Sequence, residues 1–338
     1  MINKIYDKTK KNLKENMKKI IFYIIVLLIL TYKLPFYINA PGGLINIDDK
    51  ITLESKTKSK GTYNFAYVSE IRATIPTYII SLFNKDWDIE RFENKTYNKE
   101  TLEQLKYREK ILLEESKNTA TICAYNKANK EYDIVNNKLI VTYVLEDAET
   151  DLVQKDEIIR IDDVIIEKST DVQQYINSLD KETKISIEVL NDGKNYERYA
   201  YIKSDNERNY IGILLTELMD ITTNPKVDIK FSSSESGPSG GLMMSLAIYD
   251  YLIEDDLTDG LTIVGTGTID ENCNVGEIGG IEYKLKGAAS KGVDLFLVPN
   301  GKNYNDAIKI AKDKKYNIKI VPVNNLDEAI NYLKTNKR

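Results

Sequence analysis

The sequence predicts an α/β (α+β) domain at the C-terminal end, a small strand-rich module ahead of it, and a transmembrane helix at the N-terminus. Three observations carry this prediction. A lysine-rich segment runs into an apolar stretch at residues 20–30. Near Asn136 the apolar period changes to the alternation of short strands. From Asn209 onward, short apolar strands alternate with amphipathic helical segments.

The N-terminal element is read from charge and hydropathy. Residues 1–19 hold seven lysines (Lys4, Lys8, Lys10, Lys11, Lys14, Lys18 and Lys19) against Asp7 and Glu15. The run IIFYIIVLLIL follows at 20–30, then Thr31, Tyr32, Lys33 and LPFYI. Its uninterrupted core is short beside the ~20 residues that cross a bilayer. Extended to Ile38, with Lys33 snorkelling and the tyrosines at the interface, it reaches that length. The basic run disfavours a buried soluble helix, and Ile38-Asn39-Ala40 fits an A-x-A cleavage site poorly. The expectation is an uncleaved, single-pass anchor at 20–38 in the cell membrane. Residues 1–19 form a cytoplasmic basic tail, and the chain from about residue 40 lies outside the cell. Membrane lipid is then one expected partner.

Composition excludes several classes. The chain of 338 residues is 42% hydrophobic with seven prolines, which favours folded domains over disorder. A net charge of −5, with acids and bases interspersed, leaves no basic footprint for nucleic acid. Cys123 and Cys273 stand far apart without a CxxC pattern, so neither a zinc motif nor a disulfide framework can be read from them. Whether the two meet is left open. There is no histidine and no GxxxxGK[ST] phosphate loop. No cofactor or metal is expected.

Ala40-Pro41-Gly42-Gly43 marks a turn beyond the anchor. Residues 44–68 suit short strands, and Ser69 to about Phe83 and Asn98 to about Cys123 suit helices, so 40–130 is expected to be a membrane-proximal set of strands and helices with no chemistry. In 131–205 the order is strand, strand, turn at Asp162-Asp163, helix capped by Ser169 or Thr170, and a closing hairpin turning at Asn191-Asp192-Gly193. This order, with LVQKDEIIRIDD at 152–163, resembles a PDZ domain, whose motif there is L-x-x-G-D-x-I-x-x-I-D-G. Lys155 and Asp163 stand where that family has glycine. The resemblance implies binding of peptide termini by strand addition.

Residues 209–338 carry the candidate chemistry. SSSESGPSGG at 232–241 places Ser239 between glycines on a turn into an apolar helix (Leu242, Met243, Leu246, Ala247, Tyr249). Such a turn can present a nucleophile, and without histidine its base must be a lysine or a carboxylate. Gly237-Pro238-Ser239-Gly240-Gly241 looks like the G-P-S-A-G motif of Lon-type serine proteases. Gly265-Thr266-Gly267 and, further on, Gly279-Gly280 followed four residues later by Lys284 match that family's second block. With the anchor and the PDZ-like module, the whole chain resembles the membrane-anchored PDZ–Lon-like serine protease family, which lacks an ATPase module. The resemblance implies Ser239 as nucleophile, Lys284 as base, Thr266 steering the amine, and the Ser239 amide with a neighbour near Gly237 as oxyanion donors. Gly240 stands where alanine is usual, and Asn274 where glycine is common.

Chemistry supports the pairing. A lysine acts as base only when neutral, so its ordinary pKa of ~10.4 must be lowered by burial. Ile278, Ile281, Leu285 and Ala288 would desolvate Lys284. Lys286, Lys291 and Lys302 lie in more polar contexts, and Glu235 is expected to face water. The expected function is an ATP-independent serine endopeptidase acting on exported peptides or proteins. Self-association into a homo-oligomer is left open. A catalytically silent PDZ-containing membrane scaffold is disfavoured by the intact Ser239 and Lys284. A signal-peptidase-like enzyme is disfavoured by the distance of Ser239 from the anchor.

Overall fold

The computed structural model describes residues 2–54, 59–97, 100–205 and 208–337. It comprises two compact units, Met1–Pro41 with Val68–Lys95, and Gly42–Tyr67 with Thr96–Arg338. The block expected at 40–130 is therefore divided, and residues 42–67 and 96–130 fold with the C-terminal chain.

The first elements are α1 (Ile2–Thr31), β1 (Lys33–Asn46), β2 (Ile51–Leu53), β3 (Thr62–Thr74), α2 (Ile75–Phe83), β4 (Asp88–Arg91) and α3 (Leu102–Ala128). Strands β1 and β3 contribute to both units. The expected span at 20–38 is corrected here. The helix stops at Thr31, and Lys33 already begins β1, in which Ile38 is buried and pairs with Ile89. Pro35 supplies the reason, since proline breaks a helix and drives the residue before it to extended backbone. No helix among the described residues is long and apolar enough to cross a membrane. The apolar run in α1 is nonetheless exposed around its circumference, from Ile20 to Leu30 with only Val26 partly covered.

Ser69 to Thr74, expected as helix, instead belong to β3. Helix α2 starts only where Thr74 and Thr77 form a capping box, with Pro76 in the first turn where its missing N–H costs nothing. Asn98 and Lys99, the expected start of the next helix, lie outside the described residues. Helix α3 begins with the Thr101–Gln104 capping box and ends at Asn129 in the left-handed conformation.

The middle of the chain runs β5 (Glu131–Val144), β6 (Glu157–Ile161), β7 (Val164–Ile165), α4 (Ser169–Asn177), β8 (Lys184–Asn191), β9 (Lys194–Tyr201), β10 (Lys203–Ser204), β11 (Asn209–Tyr210) and β12 (Ile213–Asn224). A six-stranded antiparallel sheet has the order β12-β5-β6-β8-β9, with β7 paired to β6. Asp192 (φ 47°) and Gly193 (φ 74°) make the left-handed turn of the β8–β9 hairpin. Alternate residues Ile185, Ile187 and Val189 meet Val172 and Ile176 of α4 in one core. The cap of α4 differs from expectation. Lys168 is the N-cap residue, and its amide donates to Asp171 at 2.9 Å, while Ser169 donates instead to Glu217.

The remainder is β13 (Val227–Ile229), α5 (Gly241–Leu252), β14 (Thr262–Gly265), β15 (Thr268–Ile269), β16 (Val275–Gly276), α6 (Ile281–Ala289), β17 (Leu295–Pro299), α7 (Lys302–Lys314), β18 (Lys319–Val323) and α8 (Leu326–Thr335). Strands β18, β17, β14 and β3 lie side by side and parallel, with Ile263 opposite both Leu295 and Tyr63. Helix α5 is buried on every side, as suits a helix apolar all round. Helix α3 packs against α5 and against β12 and β5.

On α3, Glu115 is pushed up to about 7 from its ordinary value of 4.5, by burial and then by the neighbouring Glu217 carboxylate. A proton held more tightly in the folded chain than in the unfolded one makes stability fall as pH rises from about 4.5 through about 7. Glu115→Gln removes that ionisation. It is expected to melt higher than the wild type at pH 8 and alongside it at pH 4, as read by thermal unfolding. A parallel pH dependence in both proteins would contradict the assignment.

Candidate functional site

Ser239 lies on the turn that opens α5, partly exposed, with the helix behind it wholly buried. A helix start directs the positive end of its dipole at the turn, while here the Gly241 and Leu242 amides already donate to the Pro238 and Gly267 carbonyls. The turn is clasped from the side by the chain leaving β14. The Gly267 amide donates to the Ser239 carbonyl at 2.8 Å, and the Leu242 amide donates to the Gly267 carbonyl at 3.1 Å.

Thr266 follows directly on β14 and is fully buried, its amide donating to the Leu297 carbonyl at 3.1 Å. Its hydroxyl donates to the Ser239 carbonyl at 3.2 Å and accepts from the Lys284 amine at 3.0 Å. One hydroxyl proton and one lone pair are thus assigned, and their directions follow. Lys284 sits on α6, which starts at Gly280 in the left-handed conformation (φ 69°), and is only 4% exposed. Ile281, Leu285 and Ala288 of the same helix are buried with Val264 and Phe296, and Ile278 packs on that cluster. The structure therefore brings Ser239, Thr266 and Lys284 together from three elements.

Gly237 and Gly240 have different parts. Gly237 has a left-handed φ of 89°, and its amide donates to the Glu109 carbonyl at 3.0 Å, so this N–H is already engaged. A Cβ on Gly240 would lie 3.5 Å from the Phe65 ring, an ordinary contact. A Cβ on Gly241 would lie 2.8 Å from Ile269 Cγ2, 2.9 Å from the Ile269 amide nitrogen and 2.9 Å from Ser116 Oγ. Gly240→Ala is therefore expected to fold and act like the wild type, whereas Gly241→Ala is expected to lose about 1–3 kcal/mol of stability through overpacking. Denaturant unfolding of the two variants checks this, and equal midpoints would contradict it.

Glu235, expected to face water, is instead held by Lys50 at 2.8 Å and by the Ser232 amide and hydroxyl. Burial raises its carboxyl, but hydrogen bonds from Lys50 and Ser232 outweigh this and hold it below the usual range.

Two contributions escaped sequence reasoning. Helix α3, expected to carry no chemistry, backs the Ser239 turn through the Glu109 carbonyl and through Ser116, whose hydroxyl donates to the Pro238 carbonyl at 3.1 Å. Cys123 of α3 and Cys273, in the turn before β16, form a disulfide with Cα atoms 5.7 Å apart. A line of small residues at helical spacing in α3 (Ser116, Ala120, Ala124) was the one available signal of close helix packing. Among the described residues no group of three or more histidine, cysteine, aspartate or glutamate side chains could hold a metal ion.

Comparison with known proteins bears on the same region. Residues 202–335 match the family model of the Lon protease (S16) C-terminal proteolytic domain. The chain is 29% identical over 101 residues to the Lon protease of Neorickettsia sennetsu, covering 30% of this chain and 12% of that protein. It is 29% identical over 103 residues to the Lon protease of Rickettsia bellii, covering 30% and 13%. It is 32% identical over 97 residues to that of Campylobacter concisus, covering 28% and 12%. The match thus spans only a small part of each relative. Among solved structures, the PDZ domain of an SdrC-like protein from Listeria monocytogenes is similar with 23% identity and a TM-score of 0.23, covering 25% of this chain and 92% of that one.

Proposed function

We propose that this protein is an ATP-independent serine endopeptidase with a Ser239–Lys284 dyad, attached to the membrane and acting on peptide or protein substrates outside the cytoplasm. The observation that carries this reading is the buried Lys284 amine, oriented by a Thr266 hydroxyl that itself bonds the Ser239 carbonyl. Removal from water disfavours the ammonium, and a neutral amine that donates one N–H to Thr266 keeps a lone pair for the Ser239 proton.

In the proposed cycle Ser239 Oγ attacks the scissile carbonyl while its proton passes to Lys284 Nζ. The oxyanion is received at the start of α5, with the Ser239 amide as donor. Collapse breaks the C–N bond, and the proton held by Lys284 goes to the leaving amine. Water then attacks the acyl-enzyme and gives a proton to Lys284; collapse breaks the ester C–O bond to Ser239, and Lys284 passes that proton to Ser239 Oγ, restoring the hydroxyl. Because the Gly237 amide is engaged with Glu109, a second oxyanion donor has to come from elsewhere in the turn.

The match of residues 202–335 to the Lon proteolytic family supports the reaction class. The absence of a phosphate-loop motif supports independence from ATP. A Cys123–Cys273 disulfide suits an oxidising, exported location. The exposed apolar run of α1, with lysines ahead of it, suits attachment to a membrane. The resemblance of 131–205 to PDZ domains supports selection of extended peptide ends by that module.

The test is incubation of the purified protein with an unfolded polypeptide in the absence of nucleotide. New peptide termini are expected from the wild type and none from Ser239→Ala. Cleavage that requires ATP, or that persists in Ser239→Ala, would overturn the reading.

A further inference from the structure

We infer that Ser116 of α3 is a positioning residue for the proposed reaction, setting the direction of the Ser239 amide through the peptide that joins Pro238 to Ser239. The Ser116 hydroxyl, 4% exposed as a residue, donates to the Pro238 carbonyl at 3.1 Å. The Gly241 amide donates to the same carbonyl at 3.2 Å. The Pro238–Ser239 peptide is trans and planar, so its C=O and its N–H point in opposite directions. Whatever fixes the Pro238 oxygen therefore fixes the line along which the Ser239 N–H points. One residue earlier, the Gly237 amide donates to the Glu109 carbonyl of the same helix at 3.0 Å, so α3 grips the turn on both sides of Pro238.

The placement is built for this contact. Ser116 Oγ lies 2.9 Å from where a Gly241 Cβ would stand, so glycine at 241 is what lets α3 approach closely enough to bond the turn. Ser116 also lies well outside residues 202–335, the part matching the Lon proteolytic family. The hydroxyl that aligns the amide thus comes from a helix ahead of the strand-rich middle module. Catalysis gains from donors aimed in advance at the developing oxyanion, and loses when such a donor swings freely.

The inference rests on Ser239 being the nucleophile, and the experiment separates the two ideas. Wild type, Ser116→Ala, Ser116→Thr and Ser116→Cys are compared in hydrolysis of a peptide substrate. Each is also titrated with a peptide boronic acid, which mimics the tetrahedral state, and with the uncleavable peptide of the same sequence. Ser116→Ala is expected to lose about tenfold in kcat with KM little changed, and about tenfold in affinity for the boronic acid alone. Ser116→Thr, which keeps the donor, is expected to recover most of that loss. If Ser116→Ala does not fold, the weakly donating Ser116→Cys is read in the same way. An unchanged kcat, or equal losses for the boronic acid and the uncleavable peptide, would overturn the positioning role. A wild type that neither cleaves the peptide nor binds the boronic acid would overturn the nucleophile and the positioning role together.

Discussion

Lys284→Met is expected to lower kcat/KM for peptide hydrolysis by about 10³- to 10⁴-fold, while the protein stays folded. Methionine fills the space of the lysine stem among Ile281, Leu285 and Ala288, a site where the lysine is only 4% exposed. It removes the amine proposed as base and nothing else of comparable size. Ser239→Ala is expected to cost as much. The double variant is expected to be no worse than either single one, because a nucleophile and its base act as one unit and their losses do not add. Steady-state kinetics on one peptide with all four proteins checks this. Losses that multiplied would show that Ser239 and Lys284 act separately, and the dyad would fail. Thermal unfolding of Lys284→Met beside the wild type guards against a trivial loss of structure.

Loss of the disulfide is expected to be the largest change in stability. Cys123 and Cys273 are separated by 150 residues, so the bridge closes a long loop that holds the whole strand-rich module. Loop-closure entropy for such a length favours the folded chain by up to about 5 kcal/mol, with about 2–5 kcal/mol found for removal of native bridges in small domains. The double variant Cys123→Ser, Cys273→Ser is expected to unfold at lower denaturant by about that amount. The bridge also ties α3 to the turn between Thr266 and Lys284, so a loss of activity larger than the loss of folded protein is expected. Equal midpoints for the wild type with and without dithiothreitol would show that the bridge does not stabilise the protein.

What could be read from the sequence follows the range of the forces involved. The apolar periods suggest helix at 241–253, 304–312 and 325–334 and strand at 295–299 and 318–323, and α5, α7, α8, β17 and β18 agree with these to within about two residues. The end of α1 was hidden because the stretch after Leu30 is again largely apolar, which suits helix or strand. Pro35 was the local sign that the helix had to stop. The placement of β3 and α3 beside the Ser239 turn could not be read at all. Pairing of Tyr63 with Ile263 joins segments 200 residues apart in sequence, and no local pattern encodes it. That Ser239, Thr266 and Lys284 come together was legible because glycine-framed motifs mark them. Ser116 was not, because a lone serine on the apolar face of a helix looks like a tolerated exception.

The pairing of β5 with β12 has a consequence for how the protein is assembled. Going outward, Glu131 faces Asn224, Asn137 faces Met219 and Leu139 faces Glu217. The chain therefore enters and leaves the middle module through neighbouring strands, as at the stem of a single long hairpin. The module between them is a guest carried at the hairpin's tip. Its host is one discontinuous fold, begun by residues 42–67 and α3 and completed by everything after β12. Swapping the guest for another of different size leaves the two ends of the stem where they are. In such a plan the middle module can change while the host fold around Ser239 is preserved.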